Sequence, residues 1–156
     1  MKKRIALLIA IFVCIVFLGA CDRTYKKADK LQPTQIESVN GFEGIAMTIK
    51  KGTVSSTGLA VILENYSDRE FVYAPIINLE VKIDDMWYQV PVLNYIDYNM
   101  ALSCLEPGDD KELDFNWEYE YGKLGKGKYR VILYEQILAE SEESEWLTLA
   151  AEFEIE

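Results

Sequence analysis

The sequence predicts an all-β fold, an antiparallel β-sandwich of about seven to eight strands within residues 44–156. The main observation is that apolar residues recur at every second position in short runs, which turns one face of each strand inward and the other toward water. Turn-forming residues separate these runs at regular intervals, and no long helical pattern interrupts them. A closed barrel is the alternative that this pattern leaves open.

The strands follow one another as short alternating runs. Their apolar positions are, in chain order, Ile45, Met47 and Ile49; Leu59, Val61 and Leu63; Leu79, Val81 and Ile83; Leu113, Phe115 and Trp117; Tyr129, Val131 and Leu133; and Leu149, Ala151, Phe153 and Ile155. The turn signals between them lie at residues 51–52, 65–68, 84–85, 106–108 and 125–127. The aromatic side chains expected in the core are those of Trp87, Phe115, Trp117, Tyr129 and Phe153.

Three stretches of this region resemble the bacterial immunoglobulin-like domains of secreted and membrane-anchored proteins in Gram-positive bacteria. They are LENYSDREFVYA (63–74), LEVKIDDMWYQVP (79–91) and LEPGDDKELDFNWEYEYGKLGKGKYRVI (105–132). The resemblance runs from about Gly44 to Leu133. It implies an immunoglobulin-like sandwich, an extracytoplasmic setting and no assigned enzymatic activity. Asp85 departs from the family pattern, which has glycine in this hairpin, and so do Gly125 and Lys126, where proline is frequent.

Tyr129 occupies a telling position, just after the glycine-containing turn at 125–127 and at the start of a strand. Immunoglobulin-like folds use such a tyrosine as a corner, in which the hydroxyl bonds the backbone a few residues upstream. Tyr129 is therefore the predicted structural corner, and an ordinary strand tyrosine is the alternative.

Composition and charge narrow the function. The chain has 26 acidic and 16 basic residues, a net charge of −10, and no histidine. Without residues 1–20, which hold three bases and no acid, 13 bases face 26 acids and the charge is −13. Such a surface repels nucleic-acid phosphates, so no nucleic-acid partner is expected. The lack of histidine removes the commonest general base near neutral pH and the histidine-ligated zinc sites. We therefore expect no enzyme activity, no catalytic residue, no cofactor and no metal.

Residues 1–20 predict a secretory signal peptide. A basic head of Lys2, Lys3 and Arg4 precedes an apolar run over residues 5–20 that ends in small residues. The run is shorter than the roughly 20 residues that span a bilayer. A retained N-terminal membrane helix is the alternative.

The apolar run ends in Leu18-Gly19-Ala20-Cys21, which resembles the bacterial lipobox. The resemblance implies cleavage between Ala20 and Cys21 and a diacylglycerol thioether on Cys21. Two acyl chains suffice for stable anchoring, because each buried methylene contributes about 0.8 kcal/mol. The predicted location is therefore the extracytoplasmic face of the cell membrane, with Cys21 as the lipid contact. The type of envelope, Gram-positive or Gram-negative, stays open.

Residues 21–43 are predicted to carry the lipidated cysteine and then a flexible tether, because they are polar and show no sustained period. About twenty residues of coil span roughly 25 Å. The lysines at 26, 27 and 30 are weak candidates for contact with anionic lipid. After processing, Cys104 is the one cysteine left in the domain, so no internal disulfide is expected. We expect Cys104 to be a small apolar filler, with a reactive thiol as the alternative.

Three further groups of side chains are candidate sites. The acidic loops at 84–85, 109–110 and 140–145 would bind calcium only if six to eight oxygens converged, so solvated charge is favoured. Glu118 and Glu120 could form a glycosidase pair, but the end of an acidic strand is favoured. The remaining group is aromatic and could form a protein-binding face, although core packing explains most of its members. These aromatic residues are Trp87, Tyr88, Tyr95, Tyr98, Tyr119 and Tyr121.

The predicted function is a non-enzymatic module that binds an envelope protein or a cell-wall component. One alternative is a regulatory accessory lipoprotein that modulates a membrane enzyme or sensor. A less favoured alternative is a hydrolase that uses carboxylates alone, which requires two acids in one cleft with one raised pKa.

Overall fold

The computed structural model describes residues 24–25, 27–98, 101–138 and 145–156. Within these ranges the chain forms nine strands and a single-turn helix. They are β1 Ile45–Ile49, β2 Gly58–Asn65, β3 Phe71–Tyr73, β4 Ile77–Ile83, β5 Met86–Gln89, β6 Ser103–Leu105, β7 Asp110–Asn116, α1 Glu118–Tyr121, β8 Gly127–Leu138 and β9 Glu145–Ile155. No helix in these ranges is long and apolar enough to cross a membrane.

The smaller sheet has three antiparallel strands in the order β1-β2-β7. Its central strand, β2, places Val61 between Ile49 of β1 and Leu113 of β7. The alternation of β2 buries Leu59 and Val61 against the core. The acidic side chains of β7 point away from the core and are exposed to solvent.

The larger sheet is organised around β8, the longest strand. β9 pairs antiparallel with one edge of β8, and the opposite edge pairs first with β4 and then with β3. Ile77 of β4 lies opposite Leu133, and Phe71 of β3 lies opposite Leu138. β3 and β4 therefore lie end to end along β8, interrupted at residues 74–76, where Pro75 has no N–H for the ladder. β6 and β5 pair with their outer edges.

The inward faces of the two sheets share one core. The rings of Trp117 and Tyr129 both pack against the ring of Phe153, each with centroids 5.6 Å apart. Val61 of the smaller sheet and Val131 of the larger belong to the same buried cluster. These contacts confirm the predicted all-β antiparallel sandwich. The strands outnumber the six alternating runs because β3, β5 and β6 are only three or four residues long, too short to show a period.

The hairpin between β4 and β5 turns on two aspartates. Asp84 and Asp85 have φ values of 49° and 64°, the left-handed conformation that a two-residue hairpin turn requires. Aspartate tolerates this conformation better than most residues, because its short polar side chain bonds locally. The turn predicted at 84–85 is thus present without glycine.

The prediction that Trp87 joins the core is wrong. Trp87 is half-buried and lies on the outer face of the larger sheet, where the Arg130 guanidinium sits 4.6 Å from its ring centroid. A side chain at this register of β5 faces outward, because its neighbour Tyr88 faces the core. Phe115, also predicted in the core, is half-buried and packs against it.

The segment before β1, predicted to be a flexible tether, lies against the domain where the structure describes it. Thr34 N donates to Trp87 O at 2.9 Å and Gln89 N donates to Gln32 O at 2.8 Å, so this segment extends the free edge of β5. Farther on, the side-chain amide of Asn40 donates to Ala150 O and accepts from Ala150 N, both at 2.9 Å, on the free edge of β9. The segment therefore crosses the outer face of the larger sheet from one edge to the other.

Residues 118–121 form α1 instead of the predicted strand end. β7 stops at Asn116, whose side-chain oxygen accepts from Glu118 N at 3.1 Å. Gly122, with φ 74°, ends the helix after a single turn. This turn carries the chain from the smaller sheet to the start of β8.

Candidate functional site

The six aromatic residues considered for a binding face divide into three pairs. Tyr88 and Tyr121 are buried in the core. Trp87 and Tyr98 are half-buried. Tyr95 is 88% exposed and Tyr119 is 66% exposed. Of these six residues, only Tyr95 and Tyr119 are exposed enough to contact a partner. Two members of the predicted aromatic binding face therefore remain candidates.

Two aliphatic residues of the same loop as Tyr95 are also exposed. Leu93 and Ile96, in the loop between β5 and β6, are 43% and 40% exposed. We call Leu93, Tyr95, Ile96 and Tyr119 the aromatic surface. Sequence reasoning missed its aliphatic members, because two apolar residues in an irregular loop carry no periodic signal.

Hydrogen bonds fix the loop of the aromatic surface to α1. Leu93 N donates to Glu120 O, and the Asn94 side-chain amide donates to Tyr119 O, both at 2.7 Å. The Tyr98 hydroxyl donates to a Glu120 carboxylate oxygen at 2.7 Å. Burial and this carboxylate raise the pKa of Tyr98 to about 12, so the hydroxyl keeps its proton and the bond at neutral pH. The apolar side chains are thus presented on a fixed frame.

Glu118 and Glu120 do not form a catalytic pair. Glu118 is exposed and faces Lys123, with 3.9 Å between the charged atoms. Glu120 is buried and holds Tyr98. Residues two apart on a helix point in nearly opposite directions, so the two carboxylates do not converge. The structure therefore gives the carboxylate-only hydrolase no acid pair at this place.

The acidic loops do not gather into a cation site in the part of the chain that the structure describes, where no three His, Cys, Asp or Glu side chains are grouped to hold a metal. Asp85 is fully exposed beside Lys82, at 3.9 Å. Residues 140–144 and the side chain of Glu145 lie outside what is described.

A buried ion pair on the outer face of the larger sheet was not predicted. Glu80 and Arg130 are cross-strand neighbours of β4 and β8. Arg130 donates from Nε at 2.8 Å and Nη2 at 2.5 Å to Glu80 Oε2. The Trp87 ring and the Thr34 hydroxyl, 3.3 Å from Arg130 Nη2, cover the pair. Opposite charges at Glu80 and Arg130 could have indicated a cross-strand ion pair. That the pair is buried depends on the crossing segment, which the sequence does not reveal.

A cavity of about 260 Å³ opens beside this pair. Gln35 and Ile36 of the crossing segment form one wall, and Asn78, Glu80 and Gln89 of the sheet form another. Glu80 is already bonded to Arg130, so its carboxylate serves the fold rather than a reaction. The cavity contains no pair of groups arranged for acid–base chemistry.

The prediction that Cys104 fills the core is wrong, because it is an exposed residue of β6. β6 is an edge strand that pairs Cys104 with Val72, whose side chain is itself half-buried. Local desolvation and the nearby Glu70 carboxylate raise the pKa of the Cys104 thiol. A raised pKa lowers the thiolate fraction, which also weakens the alternative of a reactive thiol.

Tyr129 is fully buried, and its hydroxyl donates to Gly125 O at 2.9 Å. This is the upstream backbone bond that a tyrosine corner requires. Burial raises the pKa of Tyr129 to about 12, so the donor proton stays in place across the physiological range. Ala20 and Cys21 precede the described residues, and their cleavage and lipidation stay predictions.

An antiparallel sandwich with a tyrosine bonded back to the turn before a long strand is typical of the immunoglobulin-like class of domains. The chain belongs to the bacterial Ig-like domain family, whose model matches residues 41–154. The match confirms the family resemblance and extends it to residue 154, near the end of β9. Comparison with curated proteins found no match. At the level of class, the family indicates a surface or binding module without catalytic machinery.

Proposed function

We propose that this protein is a lipid-anchored extracytoplasmic lipoprotein whose Ig-like domain binds an envelope protein or a cell-wall component. The observation that carries the proposal is the order of its parts. A lipobox-like Leu18–Cys21 stretch is followed after about twenty residues by an Ig-like domain that begins at residue 41. A lipid at Cys21 would hold this domain at the outer face of the membrane.

The smaller sheet supplies the surface that fits a partner. The crossing segment covers Glu80 and Arg130 on the outer face of the larger sheet, whereas the outward side chains of the edge strand β7 in the smaller sheet are exposed. Asp110, Glu112 and Asp114 alternate outward along β7 and are exposed. Complementary charge steers encounter and selects orientation, so a basic surface on the partner is favoured.

Cross-linking in intact cells tests this proposal. Capture from cross-linked membranes with the wild-type protein should recover a specific envelope partner. A double variant, Asp110→Lys with Asp114→Lys, should lose it, because the approach of a basic partner is then repelled. The matched control is Glu152→Lys with Glu154→Lys, which makes the same charge change at exposed positions of β9 and should retain the partner.

Two results would contradict the proposal. One is recovery of no partner by the wild-type protein under several cross-linking conditions. The other is equal loss with both double variants, which would indicate a general charge effect and not a binding face. If the captured partner is a membrane enzyme or sensor, its activity with and without this protein separates the regulatory alternative from simple attachment.

A further inference from the structure

The aromatic surface lies on the side of the domain where the N-terminal chain arrives. Thr24, Tyr25 and Leu31 line a cleft together with Pro91 and Leu93. Tyr25 and Leu31 also pack against the hydrophobic core. The first described residues are therefore held next to the loop that carries the aromatic surface.

The chain before this cleft is too short to separate it from Cys21. Three residues of fully extended chain reach at most about 11 Å, so Cys21 lies within that distance of Thr24. The chain after the cleft cannot lengthen this reach, because Gln32 and Thr34 are hydrogen-bonded to β5. The proposed lipid would therefore enter the bilayer beside the aromatic surface.

The side chains of this surface have the chemistry of a membrane interface. Tyrosine combines an apolar ring with a polar hydroxyl and is enriched where lipid meets water. Tyr95 and Tyr119 supply two such rings, and Leu93 and Ile96 supply aliphatic groups that shallow insertion would bury. Exposed apolar groups on a frame fixed by hydrogen bonds are typical of interaction sites.

Charge favours apolar contact over electrostatic attraction as the source of binding. Lys27 and Lys30 line the cleft, but so does Asp29, and the chain without residues 1–20 carries −13. Each lysine near an anionic surface contributes only about 1 kcal/mol. The contact should therefore persist at high salt.

We propose that the aromatic surface formed by Leu93, Tyr95, Ile96 and Tyr119 lies in the membrane interface beside the Cys21 lipid and fixes the orientation of the domain on the bilayer. This inference rests on the proposed lipid anchor. It replaces a domain that swings freely on a tether with one held against the bilayer at the end of the sandwich where β7 leads into α1.

Site-directed nitroxide labels on the full lipidated protein test the orientation. Tyr95→Cys and Tyr119→Cys are made separately in a Cys104→Ser background, labelled, and reconstituted in vesicles of phosphatidylcholine with a minor phosphatidylglycerol fraction. The control is Tyr66→Cys, since Tyr66 is as exposed as Tyr119, at 66%, and lies just beyond the far end of β2. Collision with oxygen, which concentrates in lipid, is compared with collision with a water-soluble nickel chelate.

Labels at 95 and 119 should show an oxygen-to-nickel collision ratio several-fold above that at 66, at low and high salt alike. Mass spectrometry of the same samples reports the lipid on Cys21 independently. A lipidated protein with equal ratios at all three positions overturns the orientation and leaves the anchor standing. Exclusion of both reagents at 95 and 119 indicates cover by another protein chain and also overturns it. An unlipidated Cys21 overturns both proposals.

Discussion

At the scale of single residues, the fold depends on buried polar side chains that hydrogen-bond to partners within the protein. The Tyr129 hydroxyl holds the turn before β8, and the Glu80 carboxylate neutralises Arg130 under the crossing segment. In both cases a buried polar group has a specific partner, and removal of one partner leaves the other unsatisfied. Such losses cost more than the net value of the bond.

Tyr129→Phe should lower the free energy of unfolding by about 1–2 kcal/mol, because the Gly125 carbonyl loses its donor inside the protein. Thermal unfolding followed by circular dichroism measures the change as a fall of several degrees in Tm. Tyr119→Phe is the matched control and should leave Tm unchanged, since Tyr119 is exposed. An unchanged Tm for Tyr129→Phe would show that the corner bond does not stabilise the turn.

Glu80→Ala should destabilise the domain by about 3–5 kcal/mol, because Arg130 would remain charged and buried without its partner. The comparison is Glu112→Ala, which breaks the exposed pair with Lys50 and should cost less than about 1 kcal/mol. Urea unfolding of the three proteins gives the values. Equal costs for the two variants would contradict the role assigned to burial of the pair.

At the scale of elements, β2 and β7 approach each other closely at Gly58. A Cβ added at Gly58 would lie 2.3 Å from the Phe115 carbonyl oxygen, a backbone atom that moves only if the strand pairing moves. The smaller sheet therefore requires glycine at the first position of β2. Gly58 pairs with Asn116, the residue before the buried Trp117, so the same pairing helps to place Trp117 in the core.

Gly58→Ala should destabilise the domain by about 1–3 kcal/mol, because the pairing of β2 with β7 must shift to admit the methyl group. Chemical denaturation measures the effect. Gly41→Ala is the control, since nothing lies within 4 Å of its added Cβ, and its stability should match the wild type. If Gly58→Ala unfolds at the wild-type urea concentration, the strands are not so tightly apposed.

The alternating strands were predictable because a strand buried on one face has apolar residues at every second position. Leu59, Val61 and Leu63 show the pattern within five positions. The irregular parts were not predictable in this way. The crossing segment depends on bonds between residues far apart in sequence, such as Asn40 with Ala150, for which a single sequence carries no signal.

The candidate site was predictable only in part. Tyr95 and Tyr119 were recognised as candidate interface aromatics from their type alone, whereas Tyr88 and Tyr121 have the same type and are buried. The difference lies in the fold, which turns Tyr121 on α1 toward Ile77 of β4. Local sequence does not determine which side of a one-turn helix meets the core.

At the scale of the whole molecule, the N-terminal segment links location to orientation. It starts at a predicted lipid site, lines the cleft beside the aromatic surface, extends the edge of β5 and ends at the edge of β9. The segment is therefore bound along the larger sheet, and the acidic edge strand β7 of the smaller sheet stays exposed. Under the proposed anchoring, this arrangement would hold a bound partner at a fixed height above the membrane.

The central claim is that Cys21 carries the anchor, and mass spectrometry of the protein extracted from membranes tests it most directly. The account predicts an N-terminal peptide that begins at Cys21 and carries a diacylglyceryl group, with residues 1–20 absent. A Cys21→Ala variant should retain residues 1–20. An unmodified Cys21 in the wild-type protein, or an intact segment from Met1 to Ala20, would contradict the account.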